Sequence, residues 1–142
     1  MTTDADRLAR ECAEAMWKND HASQGLGMKI EEIGAGRAVL SMTVRPDMVN
    51  GHAIAHGGLI FTLADSTFAF ACNSYDQRAV AQHCAVTFVN PAKLGDRLTA
   101  TGQERGRQGR GGIYDITVTD QDGQVIAEFR GHSRTIKGAV RG

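Results

Sequence analysis

The chain carries no net charge: 16 Lys and Arg balance 16 Asp and Glu over 142 residues. Nothing global therefore draws it to nucleic acid or to an anionic membrane surface. No apolar run reaches the length of a bilayer span. The N-terminus lacks the basic, then apolar, then small-residue order of a secretory signal. Cys-x-x-Cys is missing, and Cys12, Cys72 and Cys84 are odd in number and widely spaced. They read as reduced thiols, so the expected location is the cytoplasm. Repeats, low-complexity tracts and linkers are absent as well. Residues 1–142 are therefore expected to form a single domain, long enough to bury a sizeable core. At 42% hydrophobic and 23% charged residues, the composition is that of a soluble globular protein.

What is present is concentrated in one stretch, from His56-Gly57-Gly58 through Leu63-Ala64-Asp65 to Cys72. It opens on two glycines and continues as a helix that is apolar nearly all round, a pattern expected for burial on every side. Asp65 is its only charge. A buried carboxylate costs several kcal/mol unless paired or hydrated, so Asp65 belongs either to a structural pair or to a site. Gly57 and Gly58 leave bare N–H groups at the helix start, where the dipole favours negative charge. A carboxylate and an oxyanion hole together suggest acyl transfer or hydrolysis. Eight residues separate them, about 12 Å along a helix. They cannot meet one carbonyl within one chain. If they cooperate, a second copy must contribute one of them, which predicts a two-fold dimer with composite sites.

In chain order, Thr3 with Asp6 looks like a capping box, opening a helix over about 4–18. Polar residues and glycines end it. Met28 to Ile33 reads as a short strand, and Gly34-Ala35-Gly36 as a turn. Arg37 to Arg45 alternates, with Val39, Ser41 and Thr43 on one face and Leu40, Met42 and Val44 on the other. That predicts a strand with one buried face. Pro46 to Ala55 is a loop containing Asn50 and His52. After the central helix, Arg78 to Asn90 reads as a strand with Ala79, Ala81, His83, Ala85, Thr87 and Val89 facing one way. Leu98 to Gln103, Gly112 to Thr119 and Val125 to Ile136 supply more strands, and Asp122-Gly123 signals a hairpin. This is an α+β order in which the sheet curls around the central helix.

The stretch from Asn50 through His56-Gly57-Gly58 to Asp65 resembles the hotdog-fold acyl-CoA thioesterases. Phe68 to Tyr75 and Asn90-Pro91-Ala92-Lys93-Leu94-Gly95-Asp96 look like the phenylacetic-acid-pathway, or PaaI, type. The resemblance implies a long helix wrapped by an antiparallel sheet, dimers joined edge to edge, and a homotetramer of two dimers. It implies hydrolysis of phenylacetyl-CoA or its ring-hydroxylated relatives to free acid and CoA, with no cofactor. Asp65 would be the catalytic carboxylate, as nucleophile or general base. The Gly57 amide would polarise the carbonyl, Asn50 would position water or the carboxylate, and His56 would sit beside the thioester. Related enzymes add a Ser or Thr from the strand after the helix; here that strand offers Ala81, Gln82 and His83.

Other constellations carry less. His52 and His56 lie four apart on a loop with no third ligand, so no metal site is expected. Ser66 beside Asp65 has no Gly-x-Ser-x-Gly elbow. His83 and Cys84 read as strand neighbours on opposite faces. The Arg and Gly residues of 105–112 could form an RNA- or nucleotide-binding module, the alternative function, but the run is single, short and without aromatic interleaving. The expectation is no nucleic-acid or membrane partner. CoA phosphates need cations, and Lys93, Arg107 and Arg110 are candidates; Gly58 at the helix start is a further candidate for binding CoA. Phe61 and Phe68 could line an acyl pocket, or could be ordinary core together with Phe70.

Overall fold

The computed structural model describes residues 2–142. Helix α1 spans Asp4–Trp17, and its cap is the predicted one: Thr3 Oγ1 accepts from the Asp6 N–H at 3.0 Å. Asp6 does further work. Its Oδ1 accepts from the Ala35 N–H at 2.9 Å, tying the helix start to the turn between the first two strands. The polar break after α1 contains a short helix that periodicity did not reveal, α2, His21–Gly25. Asp20 caps it through the Ser23 N–H, a local side-chain signal rather than an apolar one.

Strands β1 (Lys29–Gly34), β2 (Arg37–Thr43), β3 (Ala79–Phe88), β4 (Arg97–Gln108), β5 (Gly111–Thr119) and β6 (Val125–Thr135) form one antiparallel sheet in the order β1-β2-β4-β5-β6-β3. Helix α3, Gly57–Cys72, lies in its concave face. Leu63, Ala64, Thr67, Phe68, Phe70 and Ala71 of α3 are buried with Leu40, Met42, Leu98, Ala100, Ile116, Val118 and Phe129. This is the hotdog architecture that the sequence predicted.

Three expectations need correction. First, α3 is not buried on every side. Gly58, Phe61, Thr62, Asp65, Ser66 and Ala69 remain exposed or half-buried, three to four residues apart, so they form one stripe. The sheet covers the rest of the helix but not that face. Second, β2 is buried on both faces from Ala38 to Met42. Val39 and Ser41 are short side chains in an interior strand, flanked in register by Glu32 and Lys29 on one side and Thr101 and Thr99 on the other. Third, the alternation in β3 breaks. Ala81 pairs with Ser133 but His83 pairs with His132, so Gln82 is an extra, bulged residue. Ala79, Cys84 and Val86 therefore share the core face, and His83 turns outward.

Strand β4 also runs further than expected, through Arg105-Gly106-Arg107 to Gln108. The Asp122-Gly123 turn is present, with Gly123 at φ 81° and Asp120 Oδ1 accepting from the N–H groups of Asp122 and Gln124. No described helix is long and apolar enough to cross a membrane.

Candidate active site

The start of α3 is set by the loop before it. Asn50 Oδ1 accepts from the His52 N–H at 2.9 Å and the Ile54 N–H at 3.3 Å. The Asn50 N–H in turn donates to Ile54 O, and the Ala53 N–H to Asn50 O. This tight knot holds Ala53 at φ 59°, a left-handed conformation that costs a non-glycine residue energy. The His56 N–H donates to Met48 O, and the Ala55 N–H to Ala92 O, which anchors the knot to the segment after β3. The chain thus enters α3 in one orientation.

His56 is the N-cap, and its side chain makes no capping bond. Its carbonyl accepts from the Leu59 N–H at 3.0 Å and the Ile60 N–H at 3.4 Å. Among the described residues, the N–H groups of Gly57 and Gly58 find no acceptor, as expected for the first turn of a helix. A cavity of about 570 Å³ elsewhere lies on the outer face of the sheet, away from this chemistry. At the α3 start there is a second, of about 430 Å³, lined by Ile54, Ala55, Gly57, Ile60 and the segment Phe88 to Ala92. A Cβ on Gly57 would lie 2.8 Å from Phe88 Cζ, so only glycine leaves this approach open. Phe88 lines this cavity without having been singled out from the sequence, where its only signal was adjacency to Asn90-Pro91.

Asp65 lies on the uncovered stripe of α3. Burial alone pushes its carboxyl above the ordinary carboxylate range, with no charged or hydrogen-bonding partner among the causes. The choice left open by the sequence is thereby narrowed, since no structural pair meets Asp65 among the described residues. Cys84, on the core face of β3, senses it: burial first, then the Asp65 charge, push the Cys84 thiol up. Ser66, next to Asp65, points instead to α2, where its Oγ meets Ser23 Oγ at 2.8 Å and Ser23 Oγ donates to Asp20 at 2.7 Å. That fixes α2 on α3 and gives Ser66 a structural partner.

The two phenylalanines separate. Phe68 is 1% exposed, and a Cβ on Gly131 would lie 2.8 Å from its ring, so it is core and not pocket wall. Phe61 is half-buried on the open stripe, edge-on to Phe129 at 5.3 Å between centroids.

The basic candidates fall at opposite ends of α3. Lys93 is bridged to Ile54 near the helix start. Arg107 and Arg110 line a cavity of about 230 Å³ with Cys72 and Tyr75 at the helix end. Sixteen residues of helix put about 24 Å between those ends. Arg107 is preorganised: its Nε lies 3.1 Å from Glu104 Oε1, and its guanidinium carbon 3.6 Å from the centre of the Tyr75 ring. Glu104 Oε1 also accepts from the hydroxyls of Tyr75 and Tyr114. Arg110 donates twice to Thr135 O, and Arg105 pairs with Asp115. The arginines of 105–112 thus sit in a strand and hairpin with partners of their own chain. No group of three or more His, Cys, Asp or Glu among the described residues could hold a metal ion.

Comparison with known proteins agrees with this geometry. Residues 52–127 match the thioesterase superfamily model. The chain is 45% identical to the acyl-coenzyme A thioesterase PaaI of Escherichia coli strain K12, over 92% of this chain and 93% of that one. The solved structure of E. coli PaaI, from the phenylacetic acid degradation operon, superposes with a TM-score of 0.94, covering 96% of this chain and 99% of that one at 43% identity. A Streptococcus mutans protein solved bound to acetyl-CoA matches with a TM-score of 0.75 at 25% identity, over 78% of this chain and 90% of that one. The chain belongs to the thioesterase superfamily and, within it, to the PaaI-type acyl-CoA thioesterases.

Proposed function

We propose that this enzyme hydrolyses phenylacetyl-CoA, or a ring-hydroxylated phenylacetyl-CoA, in sites that two copies of the chain share. One observation carries the reading: an unpartnered carboxylate, raised by burial, lies on the one face of α3 that its own sheet leaves open. A second α3 running antiparallel would lay its glycine start beside that carboxylate. Strand β3 supports the same arrangement, because it is a ten-residue sheet edge with no charged residue, open to pair with its own copy. Two such dimers would form the tetramer.

The thioester carbonyl accepts from the Gly57 N–H of one chain, with the α3 dipole behind it. Asp65 of the other chain either attacks the carbonyl carbon, expelling CoA thiolate to give a mixed anhydride that water then hydrolyses to the free acid and Asp65, or takes a proton from the attacking water. In the water route, the new C–O bond forms as the C–S bond breaks, and the proton held by Asp65 passes to the departing CoA sulfur. A carboxyl raised by burial is the better base for this step. Because Asn50 Oδ1 is already held by two N–H groups, its Nδ2 is left to act as donor to the water oxygen or the carboxylate. Phe61 is the aromatic contact for the acyl ring. Lys93 of one chain and Arg107 of the other come to the same end of the paired helices, where CoA phosphates would lie. The acetyl-CoA complex of the S. mutans relative and the operon of E. coli PaaI support the substrate class.

The test is thiol release from a panel of acyl-CoAs by purified protein, alongside Asp65→Asn. Phenylacetyl-CoA and its hydroxylated forms should have the highest kcat/KM. A preference for long aliphatic chains would sink the substrate assignment, and an active Asp65→Asn would sink the catalytic one.

A further inference from the structure

We infer that His83 and His132 form a two-histidine chelate for a borderline divalent cation such as zinc or nickel, on the outer face of the sheet. The bulge at Gln82 creates it. Unbulged pairing would continue from Ala81↔Ser133 to Gln82 opposite His132; the extra residue puts His83 there instead. Directly opposed residues of an antiparallel pair project to the same face with Cβ atoms about 5 Å apart. The two imidazole centroids lie 5.6 Å apart at 65°.

That spacing suits chelation. With metal–nitrogen bonds of about 2.0 Å, each ring centre stands ~3.2 Å from the ion, and a tetrahedral angle puts the two centres ~5.2 Å apart. Neither imidazole has a hydrogen-bond partner among the described residues. His83 is exposed and His132 half-exposed, so water can fill the other positions. The nearest cations on this face are occupied: Asp115 holds Arg130 at 2.6 and 2.8 Å and Arg105 at 3.1 Å. Arg134, two residues beyond His132, is exposed. Imidazole nitrogen selects zinc, nickel or copper over magnesium. The bound ion would staple the edge strand β3 to β6, on the face opposite Asp65.

The experiment is a thermal melt of chelator-stripped, reduced, full-length protein with ZnCl2, NiCl2 or MgCl2. Zinc and nickel at about ten times their dissociation constant should raise Tm by ~5 °C, and magnesium should not. His83→Gln and His132→Gln should each abolish the zinc shift. Both should keep the metal-free Tm, and His132→Gln on β6 should also keep the thioesterase rate, because its ring faces away from the catalytic carboxylate. No zinc shift, an equal shift with magnesium, or a shift that survives in either variant would overturn the assignment; survival would place the metal on His21, His52, His56 or the thiols.

Discussion

If two chains share each site, two inactive variants should repair one another. Gly57→Val and Asp65→Asn are the pair to use. At position 57 the first added carbon already lies 2.8 Å from the Phe88 ring. Phe88 is 50% exposed, so its ring can swing aside and leave the fold intact, but the valine then occupies the approach to the Gly57 N–H. Asp65→Asn preserves shape and removes the charge. In a mixed dimer one site holds both lesions, while the other combines native Gly57 with native Asp65. Random exchange at equal concentrations gives half mixed dimers, each with one working site. Recovery should approach about a quarter of wild-type turnover. The assay is thiol release after subunit exchange, with two affinity tags to isolate the heterodimer. Tagged heterodimers of folded variants that remain inactive would refute the cross-chain site. The oxyanion donor would then have to come from the chain that carries the carboxylate, despite the ~12 Å between positions 57 and 65 along the helix.

Asp65→Asn alone should lower kcat by about 10²–10⁴ with little change in KM. It should also raise Tm at pH 7. The folded carboxyl holds its proton to a higher pH than the unfolded one, so its contribution to stability is lost as pH rises from the ordinary carboxylate range through the folded value. The Tm gain of the variant should therefore shrink as pH is lowered toward 4. Asn50→Asp keeps an acceptor for the His52 and Ile54 N–H groups but removes Nδ2; it should stay folded and lose kcat, whereas Asn50→Ala should also lower Tm. Replacing Arg107 and Arg110 by Ala should raise KM for acyl-CoA and leave kcat nearly unchanged in steady-state kinetics. Gly131→Ala places a carbon 2.8–2.9 Å from the Phe68 ring and should cost ~1–3 kcal/mol in denaturant melts.

The elements most readable from sequence were those with local chemistry. Thr3 and Asp6 announced α1, and Asp122-Gly123 announced the last hairpin. His56-Gly57-Gly58 followed by an apolar run marked α3 to the residue at its start. What could not be read was fixed by pairing at long range. The bulge at Gln82 has no glycine or other local marker, and it moved Cys84 inward and His83 outward. The double burial of β2 depends on the strands either side of it. The open stripe on α3 was not legible, because Phe61 and Ala69 on it read in sequence like the residues that the sheet covers. Asp65, the single charge in that stripe, was the only hint of the difference. Likewise Phe88 meets Gly57 only because β3 runs back along the helix.

The two outer strands of the sheet are unequal, and this bears on how copies can accumulate. β1 is bulged between Ile30 and Glu32 and carries Lys29, Glu31 and Glu32, with Glu31 and Glu32 paired to Arg97 and Arg37. Charge and a kink are what natural sheets use to refuse a neighbour. β3 carries neither charge nor proline. A sheet with one refusing margin and one accepting margin can be extended once. Two copies that join through β3 leave only β1 margins outward, so strand pairing extends the sheet no further than two chains and no fibre can propagate through its edges. Removing the charges of β1 would undo that stop: each dimer would then offer a second accepting margin at both ends, the geometry of an open polymer.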